Sequence, residues 1–418
     1  MMQSSLTYML AKHLARDIMP GDRTRARHHL IDWLGCVAGA LESETAPIAR
    51  RQTGNAAQKA AWLGNKLEMD DVHRTAILHP GPVIWATCLA QDVNDMNTVL
   101  DAAIRGYEAM IAIGSTFDAR HYAFWHNTAT SGLFGAAVAA LYCRVKTADA
   151  DVIDNLLVDA MGLAGSVTGG FWQMRHEPCD AKQWHIAHAV NTGSMAAAAA
   201  LSGARGPAFI LEGPQGLHAA TTNGARPFEL ADHWRISDVS FKPWAACRHA
   251  HPSIDAALAL KAKLGHLDGP IEIETYSDAL AFCDRPNPKS EIEAKFSIQH
   301  SVALVANRGT PALDDFDAQA IAGTAETRER ITVREVAEFS DRYPKHFGAR
   351  ARCGDHEITL IDTLGDPERP MSDNEILGKA RSLFTLGGKG ADFDAAEQAV
   401  LEGTSTAPII AILDRWLA

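Results

Sequence analysis

The sequence predicts a mainly α protein in which a large all-helical domain is accompanied by a second, smaller α+β domain. Apolar residues up to about residue 235 recur at helical spacing, whereas four later segments alternate apolar and polar residues with period two. The length of 418 residues also favours two domains, because a single core usually divides above roughly 250–300 residues.

The helical part begins with a clear amphipathic pattern in segment 26–40. Four apolar residues there would line one helix face: Leu30, Trp33, Leu34 and Val37. Small side chains let helix axes approach closely, and they crowd three later segments: 132–142, 161–170 and 193–204. We therefore expect buried central helices in this part of the chain.

The smaller α+β domain is expected over residues 240–372. The alternating segments that predict strands are 236–244, 271–279, 331–339 and 356–364. Helical patterns occur between them at 252–264 and 297–308. Beyond this domain, Ser372 and Glu375 have the spacing of a capping box, which predicts a new helix. The helical domain is therefore expected to comprise residues 1–239 and 373–418.

Composition and charge exclude several classes of protein. The chain has 39 Lys and Arg against 51 Asp and Glu, without a basic block, which argues against a nucleic-acid partner. Its apolar stretches fall short of the ~20 residues that a membrane helix requires. The N-terminus lacks the pattern of a signal peptide, and the seven cysteines are isolated, as in proteins with reduced thiols. We expect a soluble cytoplasmic protein without a membrane partner.

The densest cluster of polar residues lies in segment 67–82, which ends in a stiff Pro-Gly-Pro turn. It contains Glu68, Asp70, Asp71, His73, Arg74 and His79. Stiff loops suit catalytic residues. Carboxylates and imidazoles are also metal ligands, but the spacing matches no metal motif, so we predict no metal. An ordinary polar loop is the remaining alternative.

Four further segments carry candidate residues. His126 precedes Thr128 at an expected helix N-terminus, where carboxylates bind readily, although a buried core histidine is an equal alternative. Segment 174–193 collects cationic donors, as a solvated basic face would also do: Arg175, His176, Lys182, His185 and His188. Segments 241–255 and 294–300 contribute Lys242, Arg248 and His300.

In this order, the segments resemble the MmgE/PrpD family, which includes 2-methylcitrate dehydratase, cis-aconitate decarboxylase and iminodisuccinate epimerase. The matches extend over nearly the whole chain: IDWLGCVAGA (31–40), MDDVHRTAILHPGP (69–82), GYEAMIAIG (106–114), WHNTATSGLFGAA (125–137), KQWHIAHAVNTG (182–193), ILEGPQGL (210–217), FKPWAACRHAHPSIDAA (241–257), AKFSIQHSVA (294–303) and GDPERPMSDNEI (365–376).

The resemblance implies a helical domain built from both chain ends, a smaller α+β lid domain and a homodimer. It also implies action on a small di- or tricarboxylic acid, without a cofactor, in a cleft between the domains. The expected catalytic residues are Asp70, Asp71, His79, His126 and Lys182. The expected substrate-binding residues are His73, Arg175, Lys242, Arg248 and His300; Arg175 is included because its forked guanidinium suits a carboxylate.

The reaction that the resemblance implies first is dehydration or hydration of a 2-methylcitrate-like acid. Removing a proton beside a carboxylate builds negative charge, which Lys182 and Lys242 are expected to stabilise. His79 and His126 are expected to transfer the protons, in an order left open, with Asp70 or Asp71 orienting an imidazole.

Three alternatives to dehydration stay open: epimerisation, decarboxylation and carboxylate binding without catalysis. Seven isolated cysteines argue against an iron–sulfur hydro-lyase. Glu68, Val72 and segment 176–181 depart from the family pattern at positions expected to contact substrate, so the exact acid does not carry over from the resemblance.

Overall fold

The computed structural model describes residues 4–147, 149–177 and 179–418. Residues 1–3, Ala148 and Pro178, the last of which belongs to segment 176–181, lie outside the described residues. The chain forms two compact units, of which the first comprises Met1–Val239 with Asp373–Ala418 and the second comprises Ser240–Ser372.

The described part of the first unit is helical. Its helices are α1 (Leu6–Leu14), α2 (Pro20–Gly39), α3 (Ala46–Arg50), α4 (Ala56–Ala60), α5 (Pro80–Leu89), α6 (Met96–Gly114), α7 (Ala119–Phe124), α8 (Asn127–Arg144), α9 (Ala150–Gly165), α10 (Ala181–Leu201) and α11 (Leu217–Thr221). Short 3₁₀ turns lie at Ala40–Glu42, Trp172–Arg175 and Arg235–Asp238.

Helix α8 forms the centre of this unit and packs against α5, α6, α9 and α10. Close helix approach requires glycine at several of these contacts, of which Gly135 and Gly193 are two. A Cβ at Gly135 would lie 2.7 Å from the Cβ of Met110, and one at Gly193 would lie 2.4 Å from the Cβ of Ala136. The expectation that small residues mark buried central helices is confirmed for α8, whereas α10 is buried on one face only, since Met195 and Leu201 are exposed. Helix α9 ends at Gly165, so segment 161–170 is only half helical.

The second unit contains a four-stranded mixed sheet. Its helices and strands are α12 (His251–Leu264), β1 (Ile271–Thr275), α13 (Ser277–Cys283), α14 (Glu291–Lys295), α15 (Ile298–Arg308), α16 (Ala318–Gly323), α17 (Ala325–Arg328), β2 (Ile331–Glu335), α18 (Ala337–Ser340), β3 (Ala349–Cys353) and β4 (His356–Leu360). The strand order is β2-β1-β3-β4. Strand β1 pairs parallel with β2 and antiparallel with β3, and β3 pairs antiparallel with β4.

The strand predictions need two corrections. No strand spans segment 236–244, because a 3₁₀ turn occupies Arg235–Asp238 at its start. Strand β3 was missed: its inward residues Ala349 and Ala351 are buried but small, so they give a weak apolar signal. Three predicted strands are also shorter than expected: helices begin at Ser277 and Ala337, and strand β4 ends at Leu360.

The chain returns to the first unit at helix α19 (Asp373–Leu386), which begins directly after the expected cap residue Ser372. Helices α20 (Phe393–Leu401) and α21 (Ala407–Leu417) follow, and α19 packs along α2. Among the described residues, no helix combines the length and the apolar character that crossing a bilayer requires.

Candidate functional site

The loop before helix α5 is held in one conformation by its own backbone. The amide of His73 donates to the carbonyl of Leu78 at 2.8 Å, and the amide of Leu78 donates back to His73 at 3.3 Å. The backbone of Ile77 has a positive φ of 52°, which closes the tight loop between them. The amide of His79 donates to the hydroxyl of Thr128 at 3.0 Å, so the end of this loop is fixed to helix α8.

The side chains of Asp70 and His79 lie close together within this loop. Their atoms Oδ2 and Nδ1 lie 2.8 Å apart; Asp70 is buried, and the His79 ring is partly exposed. A carboxylate at this distance compensates a positive charge on the imidazole and leaves Nε2 directed away from the pair. This arrangement suits a histidine that donates a proton.

The neighbouring Asp71 has a different role because its carboxylate is enclosed by hydrogen bonds. Oδ2 accepts from the Tyr107 hydroxyl at 2.7 Å and contacts Nδ1 of His29 at 2.8 Å, while Oδ1 accepts from the amide of Gly81 at 2.8 Å. Burial raises the pKa of Asp71 to about 6, although Tyr107 and Gly81 favour the ionised form. Asp71 therefore joins α2, α5 and α6, and the imidazole that it orients is that of His29.

His73 is buried, and its Nδ1 accepts a hydrogen bond from the amide of Ala76 at 3.2 Å. Burial lowers the pKa of His73 to about 3, and positive charge on Arg235 and Arg74 contributes to this shift. This neutral ring stabilises the loop. We therefore do not keep His73 among the proposed substrate-binding residues.

His126 lies at the N-terminus of helix α8. Its amide donates to the carbonyl of Gly170 at 2.7 Å, and its ring packs on Trp172 with centroids 4.6 Å apart. Nδ1 of His126 lies 3.2 Å from Nδ1 of His185, within hydrogen-bond distance. Burial lowers the pKa of His126 well below its usual value, so the ring is neutral at pH 7.

Two cations and two further histidines lie near the His126 ring. Besides burial, the side chains that lower its pKa by electrostatic repulsion are those of His185, Lys182, His79 and Arg175. These side chains come from the loop before α5, from α10 and from the 3₁₀ turn Trp172–Arg175. The positive charges of Lys182 and Arg175 would stabilise an anion bound beside this ring.

The two cations of this group have different surroundings. The ammonium group of Lys182 forms an ion pair with Glu68, which has a positive φ of 59° and is buried. The guanidinium of Arg175 is exposed and stacks over Trp172 at 3.6 Å from the ring centroid, with Tyr122 at 5.2 Å. An exposed, stacked guanidinium is oriented but remains able to bind a carboxylate.

In the second unit, Lys242 is fully buried. Arg248 is also buried and donates from Nη2 to Asp366 at 2.5 Å, while its Nε and Nη1 make no hydrogen bond within the described residues. His300 has both ring nitrogens occupied, with Thr324 at 2.9 Å and the carbonyl of Asp315 at 2.9 Å. His300 therefore lacks a ring atom for substrate, and we do not retain it as a binding residue.

One group among the described residues has the composition of a metal site. Potential ligand atoms of His346, Asp362 and Glu368 lie within 4.8 Å of one another. All three residues belong to the second unit, and His346 Nδ1 already pairs with Asp362 at 2.7 Å. None of them is among the expected catalytic or binding residues.

Sequence reasoning missed two residues that the structure joins to the site, His29 and Tyr107, and it named His185 only as one of several cationic donors. His29 and Tyr107 contact Asp71 from two long helices, and their positions among apolar residues resemble ordinary core. His185 lies three residues after Lys182, within the quoted motif KQWHIAHAVNTG, and that spacing placed both near the start of one helix. Which ring His185 meets depends on how α8 and α10 pack.

Two family models match this chain. The family model for the MmgE/PrpD N-terminal domain matches residues 52–229, and the model for the MmgE/PrpD C-terminal domain matches residues 244–402. A search of curated proteins found no match.

Proposed function

The chain belongs to the MmgE/PrpD family, and from this premise we propose that it is a cofactor-independent lyase acting on a small di- or tricarboxylic acid. The reaction that we propose is dehydration or hydration of a 2-methylcitrate-like substrate. The observation that carries the proposal is that the buried ring of His126 contacts His185 and Trp172, with Arg175 stacked on the same tryptophan. His79 and Lys182 also lie close enough to lower the pKa of His126 by electrostatic repulsion.

A neutral, buried imidazole among cations suits the removal of a proton beside a carboxylate. His126 is unprotonated at neutral pH, so it is able to accept the proton. The negative charge that then develops on the substrate is stabilised by the same cations that repel a proton from His126. We therefore assign the role of general base to His126.

The proton for the departing hydroxide is assigned to His79. The carboxylate of Asp70, 2.8 Å from Nδ1, compensates the charge of a protonated ring. His79 would then donate from Nε2 to the leaving oxygen, which departs as water. In the hydration direction the two histidines exchange these roles.

Carboxylate groups of the substrate are assigned to Lys182 and Arg175 in the first unit. Arg175 offers a planar fork for a bidentate contact, and Lys182 offers a point charge that would move from Glu68 to the substrate. We also propose Lys242 and Arg248 as carboxylate-binding residues, because both are buried cations and because Nε and Nη1 of Arg248 make no hydrogen bond to any described residue.

Epimerisation is the second candidate function. An epimerase needs one base on each face of a single carbon atom, and the structure supplies two imidazoles, His79 and His126, that interact electrostatically. The same two residues therefore support either reaction, and the products distinguish them.

The proposal is tested by incubating the protein with 2-methylcitrate, citrate, cis-aconitate and iminodisuccinate and following the products by NMR. Gain or loss of water supports a hydro-lyase, inversion with deuterium uptake at carbon supports an epimerase, and release of CO₂ supports a decarboxylase. Binding detected by calorimetry without any product would instead identify a carboxylate-binding protein. Neither binding nor turnover of the four acids would overturn the proposed substrate class.

Two variants test the assigned residues. His126→Asn and Lys182→Met should each lower kcat/KM by about 10²-fold or more, the contribution typical of acid–base or charge-stabilising groups. The matched control is Lys146→Met, which removes an exposed lysine of the same unit. Full activity of both site variants, with folding intact, would locate the chemistry elsewhere.

We also propose a homodimer in the cytoplasm. Trp184 and Met195 support the dimer, because these exposed apolar side chains lie about three turns apart on one face of α10. Sedimentation analysis of the wild type and of Met195→Glu measures the assembly. A monomeric wild-type protein would exclude the homodimer.

A further inference from the structure

The hydrogen bond between His126 and His185 restricts where the protons of both rings lie. Both rings meet through Nδ1 at 3.2 Å, and burial lowers the pKa of each, that of His185 to about 4. Between two neutral imidazoles, one Nδ1 must carry the hydrogen and the other must accept it. The two histidines therefore have opposite tautomers at neutral pH.

Only one of the two arrangements agrees with His126 as a base. If Nδ1 of His126 carries the hydrogen and donates to His185, then Nε2 of His126 is unprotonated and able to accept a proton. His185 then carries its own hydrogen on Nε2. In the reverse arrangement Nε2 of His126 would already be protonated, and the ring would be unable to remove a proton from substrate.

From this contact we propose that His185 is a positioning residue that fixes the tautomer of His126 and relays its proton to solvent, an inference that rests on the proposed function. The substrate proton binds Nε2 of His126, the Nδ1 proton of His126 passes to Nδ1 of His185, and the Nε2 proton of His185 passes to water or a buffer base. Each ring gains one proton and loses one.

The relay leaves His126 in its other tautomer, with the hydrogen on Nε2. In this form the ring is an acid, as the reverse reaction needs. After the product leaves, a proton from solvent returns to Nε2 of His185, and the Nδ1 proton of His185 passes back to Nδ1 of His126. The Nε2 proton of His126 then passes through water to Nε2 of His79, which gave its own proton to the leaving oxygen, so the base and the acid are both restored. The pair thus connects a buried base to bulk water without a metal or a cofactor in any of its steps.

The surroundings of the pair support a relay. His185 is half-buried on the first turns of α10, and the charged or titratable groups facing the two rings are His188, Lys182, Arg175 and His79. All of these are cationic when protonated, so they favour departure of the extra proton to solvent. Residue 170 packs beside the pair because it is a glycine. A Cβ there would lie 2.3 Å from the Cβ of Ala129 and 3.6 Å from the His185 ring.

The tautomers are measured without any assay of activity. Long-range ¹⁵N–¹H NMR spectra of histidine-labelled protein at pH 7 should show His126 with its hydrogen on Nδ1 and His185 with its hydrogen on Nε2. The signals are assigned with His126→Asn and His185→Asn. The same tautomer in both rings, the reversed pair, or a protonated His185 would overturn the inference, even if the acids tested for turnover prove to be the wrong substrates.

The relay itself is tested with His185→Asn, whose side-chain oxygen is able to accept from Nδ1 of His126 but is unable to pass a proton on. This variant should keep the His126 tautomer and KM, and lower kcat by about tenfold or more, with recovery on adding imidazole to the buffer. His233→Asn, the same substitution at an exposed histidine of the first unit, should leave kcat unchanged. An unchanged kcat in His185→Asn, or a loss that imidazole does not restore, would overturn the relay.

Discussion

Nδ1 of His79 and a buried carboxylate oxygen of Asp70 are separated by 2.8 Å at the start of helix α5. The amide of Asp70→Asn lacks the charge that compensates a protonated His79. We expect this variant to lower kcat/KM by about 10²-fold, and the double variant with His79→Asn to be no worse than either single variant, because the two residues act as a unit. This double-mutant cycle is measured by steady-state kinetics on the acid that the protein turns over. If the loss of kcat/KM in the double variant equalled the product of the two single losses, the pairing would be contradicted.

Stability should depend on pH through Asp71. Its carboxyl group takes up a proton at about pH 6 in the folded protein, against an ordinary pKa of 3.8, because it is buried. The folded state therefore binds more protons between these values, and this group's contribution to stability is lost as the pH rises from about 4 to 6.

Asp71→Asn should remove this dependence. The difference in unfolding free energy between the variant and the wild type should increase with pH, by roughly 3 kcal/mol across the whole window, in favour of the variant. Urea denaturation at several pH values measures it. A difference that stays constant with pH would show that Asp71 titrates alike in the folded and unfolded chains.

Gly81 should not tolerate a side chain. A Cβ there would lie 2.6 Å from Oδ1 of Asp71, the atom to which the Gly81 amide donates. Gly81→Ala should destabilise the protein by about 1–3 kcal/mol. The matched control is Gly21→Ala in helix α2, where the added Cβ meets nothing within 4 Å, and alanine should stabilise by about 0.4–1 kcal/mol. Equal melting temperatures of the two variants would contradict the predicted close approach.

Replacing only one partner of the buried salt bridge between Asp32 and Lys379 should strongly lower the free energy of unfolding. The two charges lie 2.6 Å apart, and Lys379 also donates to the carbonyl of Met69 at 2.6 Å, directly before Asp70. Asp32→Leu alone should lose about 3–5 kcal/mol, since it leaves a buried ammonium unpaired. The double variant with Lys379→Met should recover much of that loss in denaturation measurements, and full additivity of the two substitutions would contradict the pairing.

Much of the fold was predictable because the sequence patterns that indicate each helix or strand lie within one short segment. The apolar spacing of segment 26–40 and the small residues of 132–142 fall on α2 and α8, and the alternation of 331–339 begins with strand β2. Strand β3 was not predictable in the same way, because Ala349 and Ala351 are buried by their position in the sheet and not by strong apolar character.

The sequence predicted which residue types form the site, but it did not predict which side chains contact one another. Asp70 and Asp71 are adjacent and chemically identical, yet one pairs with His79 while the other is enclosed by Tyr107 and His29. Successive side chains in a loop point in different directions, and only the packing of α2, α5 and α6 decides which direction is enclosed.

The sequence by itself determined the helical character of the larger part, the strand-forming segments and the acid–base residue types, because each depends on spacing within a few turns of chain. The tertiary structure alone decided that His126 meets His185 and that His300 is fully hydrogen-bonded in the core. The physical reason is that a histidine's chemistry depends on burial and on which atoms face its two nitrogens, and these atoms come from residues far away in the chain.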